Sequence, residues 1–274
     1  MEEEGEGELP PPPPAVETEL DYISPQYQTP FLRNLLTLRL WSMFWTLFCL
    51  TGAEFVTINY SSYILGAING KPTEQSMRTM LNVINGAGSA VGRLGMALFE
   101  YITQHRPPEK RIPMTWAPMF PTTLCLISLI LLMTVPASVG PLAYVLLALS
   151  NGAQAAQTVL VPRVIYAKDP AKHYNFCFCA CVLSSILLVR VLYAEWYNRK
   201  AIETGGIKGY CFGRVCVMMP LGVLLGLVCT TILSNLYLHV KYTRFCSKML
   251  AERRQVRQKT EADLVFVAEV KKTF

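Results

Sequence analysis

Charged residues are scarce in this sequence. They make up 16% of its 274 residues, whereas a soluble globular domain usually contains about 25%. Hydrophobic residues make up 52%, and they are gathered into long runs that short polar segments separate. This clustering is typical of a multi-span membrane protein and excludes an ordinary soluble domain.

Residues suited to catalysis or metal binding are also few. The chain contains 3 histidines, none inside the apolar runs, and it shows no nucleophile–base pair and no phosphate-binding loop. The motif CFCAC at 177–181 lacks the spacing of a zinc site. Most of the 9 cysteines lie within apolar runs, which predicts packing residues rather than a disulfide framework. We therefore predict a protein that is not an enzyme and holds no metal or cofactor.

Six apolar stretches have about the 20 residues that a transmembrane helix needs. We predict spans over Leu40–Leu65, Met80–Ile102, Thr115–Val135, Pro141–Val161, Phe176–Trp196 and Val215–Leu238. No strand-like alternation recurs, so the predicted fold is an all-α membrane protein with six transmembrane helices. The predicted domains are a disordered acidic, proline-rich segment (1–34), the six-helix domain (35–240) and a basic tail (241–274).

The distribution of Lys and Arg predicts the orientation. With a cytoplasmic N-terminus, the inner segments hold 17 of these residues and the outer loops hold 6, which places both termini in the cytoplasm. The net charge of +6 therefore reflects the orientation of the spans in the membrane. The expected partners are the lipid bilayer and a small solute, and nucleic acid is not among them.

Polar side chains inside the predicted spans need either a partner or water, because lipid offers neither. Glu54 lies near the middle of the first span, where a carboxyl group could exchange a proton or contact a substrate; the alternative is a buried structural pair, for example with Arg190. Arg190 is also a candidate for pairing with an anionic solute. Asn151, Gln154 and Gln157 are spaced i, i+3, i+6 in the fourth span. These amides either line a cavity or join helices by hydrogen bonds.

The second span combines a polar stripe with a glycine motif. Asn82, Asn85 and Arg93 lie on one side of the predicted helix, and Gly88 and Gly92 form a GxxxG pair. Small residues at this spacing let helices approach closely, which accounts for the glycines but not for Arg93. The candidate substrate path consists of Glu54, Asn82, Asn85, Asn151, Gln154, Gln157 and Arg190.

Residues 148–178, ALSNGAQAAQTVLVPRVIYAKDPAKHYNFCF, contain Gly-Ala-Gln followed by Lys-His and Tyr-Asn. They resemble the tenth span, the next loop and the start of the eleventh span in nodulin-like, monocarboxylate-transporter-like members of the major facilitator superfamily. The second span resembles the eighth span of that family through Asn85, Gly92, Arg93, Gly95 and Glu100. The outer loop GGIKGYCFG also resembles its counterpart, but the expected partner cysteine is absent, which leaves Cys211 unpaired.

The resemblance covers about Leu35 to Leu238 and implies the C-terminal half, spans seven to twelve, of an alternating-access transporter. It assigns Gly92, Arg93, Gly95 and Glu100 to a cytoplasmic gating motif. The expected function is transport of a small solute, either an organic acid or a metal ion. One half cannot enclose a path, so we expect an incomplete twelve-span protein, a homodimer or a complex with a separate N-terminal half. The alternative is a non-transporting membrane protein that binds partners through its basic tail.

Overall fold

The structure, a computed structural model, describes residues 24–106, 111–205 and 210–273. Positions 1–23 of the predicted disordered segment therefore lie outside the described residues. The side chains of the basic tail from position 261 onward are also outside the description. The helices are α1 (Phe31–Asn34), α2 (Leu38–Asn59), α3 (Ser61–Asn69), α4 (Gln75–Gln104), α5 (Met119–Thr134), α6 (Gly140–Ile165), α7 (Pro170–Ser184), α8 (Glu195–Glu203) and α9 (Val215–Thr273). Two 3₁₀ turns, Met114–Trp116 and Ala137–Val139, precede α5 and α6, and a π-helical segment, Ser185–Ala194, joins α7 to α8.

The predicted spans fall on helical segments, although the first is divided between α2 and α3 at Tyr60, and only part of the six-span prediction is confirmed. Within the described residues, four helical stretches are long and apolar enough to cross a membrane: Leu38–Asn59, Met114–Thr134, Pro170–Glu203 and Val215–Thr260. The helices α4 and α6 do not reach this hydropathy. They carry the polar stripes, which include Asn82 and Arg93 on α4 and the amides on α6.

Apolar side chains hold the long helices together in two clusters. The first includes Leu50 on α2, Leu129 on α5, Leu147 on α6 and Leu221 on α9. The second lies nearer the beginning of α2 and includes Leu40. Pro162, predicted to kink or end the fourth span, lies inside α6, and the helix ends soon after it at Ile165.

Residues 24–34, here called the strap, pass the C-terminal end of α6 and the middle of α9, although the sequence predicts disorder there. The Tyr27 N–H donates to the Ile165 carbonyl at 2.8 Å, and the Ala167 N–H donates back to the Tyr27 carbonyl at 3.1 Å. The Tyr242 hydroxyl on α9 donates to the Pro25 carbonyl at 3.0 Å. The strap therefore joins parts of the chain that are far apart in sequence.

Charged groups secure the strap at two points. The Arg39 guanidinium lies 3.4 Å from the centre of the Tyr27 ring and donates to Asn34 Oδ1 at 2.8 Å. Burial raises the pKa of the Tyr27 hydroxyl, and the nearby Arg39 lowers it to a lesser extent. Hydrogen bonds, first from the Lys172 side chain and then from a strap backbone N–H, lower the pKa of Asp169. That carboxylate is consequently charged at neutral pH.

A disulfide bond joins the loop before α9 to the first turn of that helix. Cys211 and Cys216 are bonded across the beginning of α9, so the expectation of an unpaired Cys211 is wrong. The partner lies five positions downstream rather than upstream, where the family resemblance placed it. The Tyr197 hydroxyl accepts a hydrogen bond from the Cys211 N–H at 3.0 Å, which fixes the loop against α8.

Candidate functional site: a polar groove between four helices

A groove of about 480 Å³ opens between α2, α4, α6 and α7. Its walls combine polar and apolar side chains: Thr51, Phe55, Arg93, Asn151, Gln154, Ala155, Thr158, Tyr174, Phe178, Cys181, Val182 and Ser185. The polar contributions from α2 and α6 come from near the middle of those helices. In this groove, polar residues that would be energetically unfavourable in lipid therefore face a common space between several helices.

Glycine contacts bring α4 and α6 together beside this groove. A Cβ atom on Gly92 would lie 2.8 Å from the Ala153 nitrogen, and one on Gly152 would lie 2.7 Å from the Ser89 carbonyl carbon. Gly88 makes a similarly close approach to α6. The GxxxG pair therefore packs within the chain, as its spacing predicts. The two backbones are close enough that Arg93 and Asn151, each next to one of these glycines, face the same groove.

The three amides of α6 do not form one continuous wall. Asn151 and Gln154 line the groove, and the Gln154 side-chain amide also donates to Thr51 Oγ1. Gln157 lines a separate, much smaller cavity that also contacts Asn235, and its side-chain oxygen is buried without a hydrogen-bond partner. Cavity lining and interhelical hydrogen bonding therefore both occur, and Gln154 combines them.

Glu54 is fully buried directly behind the groove. Ser150 Oγ lies 2.5 Å from Glu54 Oε1 and 2.8 Å from the Pro121 carbonyl oxygen. A hydroxyl carries one hydrogen and can donate to only one of these oxygens. Both contacts become hydrogen bonds if Glu54 is a neutral acid that donates to Ser150, while Ser150 donates to Pro121. The alternative pairing of Glu54 with Arg190 does not occur in the structure.

The two charged residues of the proposed gating motif lie apart. Arg93 lines the groove, whereas Glu100 forms an ion pair with Arg163 in the last turn of α6. Gly92 packs against α6, but Gly95 has open space around it and lines a different, apolar groove. The four residues of the motif thus lie in four different surroundings.

The remaining predicted residues lie outside the groove. Asn82 is exposed on α4, and Asn85 is half-buried with its side-chain oxygen lacking a partner. Arg190 is exposed on the π-helical segment and is not among the residues that line the groove. Arg93 therefore replaces Arg190 as the cation that faces this space.

Sequence reasoning missed several residues of the site. Ser150 carries the contact to Glu54, and its only signal in sequence is a polar residue beside the amide stripe. Cys181 on α7 and Ser185, the first residue of the π-helical segment, also line the groove. The thiol of Cys181 lies 3.4 Å from Thr51 Oγ1, so a residue interpreted as packing also belongs to the polar wall.

Within the ranges that the structure describes, no group of three or more His, Cys, Asp or Glu side chains could hold a metal ion. Comparisons with known protein-family models, curated proteins and solved structures find no match for this chain.

Proposed function

We propose that this chain is one six-span half of an alternating-access transporter of the major facilitator type, and that it moves a small organic acid. The observation that carries the proposal is the groove, in which Arg93, Asn151 and Gln154 face one space between four helices. Polar and ionisable groups inside membrane helices are costly, and they characteristically mark substrate or ion pathways. On this proposal α4 and α6 also cross the membrane, with their polar faces turned away from lipid.

The proposed orientation places both termini in the cytoplasm. The strap and the ion pair between Arg163 and Glu100 lie at one end of the helices. The disulfide between Cys211 and Cys216 lies at the other end. Disulfides persist in oxidising compartments, so the disulfide end belongs outside the cytoplasm. This argument is independent of the distribution of Lys and Arg, and it supports the same orientation.

Arg93 is the proposed binding residue for the anionic group of the solute. Its guanidinium can hold a carboxylate by two parallel hydrogen bonds, and the neighbouring amides supply further donors. The donor set fits an organic acid better than a metal ion, because the groove lacks carboxylate and imidazole ligands among its lining residues.

Glu54 is proposed to be a proton site rather than a substrate contact. It is sealed from the groove, yet Thr51 and Phe55 on its own helix line the groove, and Ser150 connects it to the position beside Asn151. A proton that leaves Glu54 would create a charge without a cationic partner in a buried position. Proton loss would therefore favour a state in which water or solute reaches the Glu54 carboxylate.

The transport path requires an opposite wall. The groove is open on one side, where Phe178 and Val182 are about half exposed. Rocking of two halves around a central site would close the path at each end in turn. The second wall is proposed to be another six-span half, supplied by a second copy, by a separate chain or by a longer form of this chain.

Uptake by proteoliposomes tests this proposal. With radiolabelled lactate as a small monocarboxylate, we expect saturable uptake that is lost in Arg93→Gln and retained in Arg199→Gln. Arg199 is the matched control, because it is an exposed arginine that pairs with Glu195 at the outer end. Glu54→Gln should keep the uptake but remove its dependence on a proton gradient.

Two results would count against the proposal. Equal uptake by the Arg93 and Arg199 variants would exclude Arg93 as the binding residue. No saturable uptake of lactate by the wild-type chain would exclude a lactate carrier built from copies of this chain alone.

A further inference from the structure

A second and larger groove lies on the face of α4 that points away from the polar groove. It has a volume of about 670 Å³ and is bounded by α4 and by the segment that leads into α5. All of its lining residues are apolar: Gly95, Met96, Phe99, Ile112, Trp116, Ala117, Met119 and Phe120. Trp116 and Phe120 are 47% and 50% exposed, so the groove opens onto the surface that faces the bilayer.

Gly95 keeps this groove open. A Cβ atom on Gly95 would meet no heavy atom within 4 Å. Gly88 and Gly92 of the same helix, in contrast, pack directly against α6. Their contacts hold α4 close to α6, whereas no comparable contact draws α4 toward α5. The gap between α4 and the segment that leads into α5 follows from this helix arrangement.

Arginines cluster at the inner end of the groove. Arg111 precedes the lining residue Ile112, and its guanidinium donates to the carbonyls of Gln104 at 2.8 Å and Arg106 at 3.1 Å. These bonds join the end of α4 to the opposite wall. The side chain of Arg106 is exposed. Glu100 on α4 is already paired with Arg163, and the charges of Glu109 and Lys110, which lie between the two arginines in sequence, offset each other, so this corner carries a net positive charge.

We propose that this groove binds an anionic phospholipid of the inner leaflet, with an acyl chain between α4 and α5 and the phosphate beside Arg106 and Arg111. An apolar slot that faces lipid and ends at a basic corner matches both parts of such a molecule. The exposed indole of Trp116 lies near the level of the headgroup, where tryptophan is favoured. The site depends on membrane insertion and not on transport.

Native mass spectrometry tests the lipid site. The full chain is released from nanodiscs that contain equal amounts of phosphatidylglycerol and phosphatidylcholine, and the retained lipid is identified. We expect wild-type protein to retain phosphatidylglycerol preferentially. Gly95→Phe should lose the retained lipid because the ring fills the slot. Arg106→Gln should lower the preference for phosphatidylglycerol about fivefold, the effect of one basic residue near an anionic membrane surface.

Gly226→Phe is the matched control. Gly226 is an exposed glycine on α9, and a Cβ atom there also meets nothing within 4 Å. This variant should retain lipid like the wild type. If Gly95→Phe does not fold, Met119→Trp fills the slot from the opposite wall and gives the same readout. Equal retention of both lipids by wild-type protein, or equal retention by folded obstructed variants and Gly226→Phe, would overturn the proposal.

Discussion

Glu54 illustrates how a buried carboxyl group can be accommodated without a cation. The side chain is fully buried, one carboxyl oxygen contacts Ser150, and the other has no partner. An isolated ionised carboxylate in such a position is far more costly than a neutral acid. The single hydrogen of the Ser150 hydroxyl can go either to Glu54 or to the Pro121 carbonyl oxygen. Both contacts are therefore hydrogen bonds only when Glu54 supplies a second hydrogen. The hydrogen-bond geometry and the cost of burial thus favour the same protonated form.

This arrangement predicts different effects for the two partners. Glu54→Gln should leave thermal unfolding in detergent close to that of the wild type, because the amide can donate to Ser150 as the neutral acid does. Ser150→Ala should lower the free energy of unfolding by about 1–3 kcal/mol, since it leaves a buried carboxyl group without its partner.

Ser128→Ala provides the comparison for Ser150→Ala. Ser128 is also buried and donates to a backbone carbonyl, that of Ala143, but it contacts no carboxyl group. We expect the Ser150 variant to be the less stable of the two. If the two variants are equally stable, or if Glu54→Gln is less stable than Ser150→Ala, the protonated assignment is wrong.

At the scale of the helices, the contact between α4 and α6 positions the groove. Gly92→Ala should destabilise the fold by about 1–3 kcal/mol, because the new methyl group meets backbone atoms of α6 that cannot move aside. Gly95→Ala, three residues along the same helix, adds its methyl group to open space. It should leave the melting temperature unchanged or slightly raised. A similar loss in both variants would contradict the role of the interhelical contact, because helix propensity favours alanine over glycine and cannot account for a loss.

The strap is the second element whose contacts can be tested. Arg39→Gln removes the cation from the Tyr27 ring and should weaken strap docking by about 1–2 kcal/mol. Hydrogen exchange over residues 24–34 should therefore become faster. The control is Arg33→Gln, an exposed arginine in the strap itself, for which wild-type exchange is expected. Equal exchange in the two variants would contradict the role of Arg39.

Acid should also release the strap. The Asp169 carboxylate accepts a hydrogen bond from the Phe31 N–H of the strap, and its pKa is lowered in the folded protein. A group with a lowered pKa stabilises the fold above its ordinary pKa and loses that contribution as the pH falls through its folded value. The protection of the strap amides, taken relative to the intrinsic exchange rate at each pH, should consequently be constant near neutral pH and lower only in acid. Unchanged protection in acid would assign this contact no role.

Some elements follow from sequence, and others depend on contacts that sequence does not reveal. The apolar runs predict where the long helices lie, and the GxxxG pair predicts one close helix contact. The strap is not predictable in this way, because Tyr27 bonds to Ile165 and Ala167 across the length of the chain. The placement of Arg93 rather than Arg190 in the groove follows from how helices rotate when they pack, which hydropathy does not specify.

At the scale of the whole molecule, the polar groove sets one requirement for function. A wall lined by Arg93, Asn151 and Gln154 is useful in a membrane only if water and solute reach it. Gly88 and Gly92 are already packed against α6 inside the chain, so they are not available for a contact with a second copy. In the proposed transporter, a second half would cover the open side of the groove, where Phe178 and Val182 are exposed.

The most direct test of the account is water access to the groove in a bilayer. Cysteine is placed at Ala155, which lines the groove, and at Ile130, which is 47% exposed on the apolar surface of α5. The background lacks Cys179, Cys181 and Cys229. We predict that a membrane-impermeant thiosulfonate in reconstituted vesicles labels Ala155→Cys and leaves Ile130→Cys unmodified. Equal labelling at the two positions, or no labelling at Ala155→Cys, would contradict a solute path along this groove.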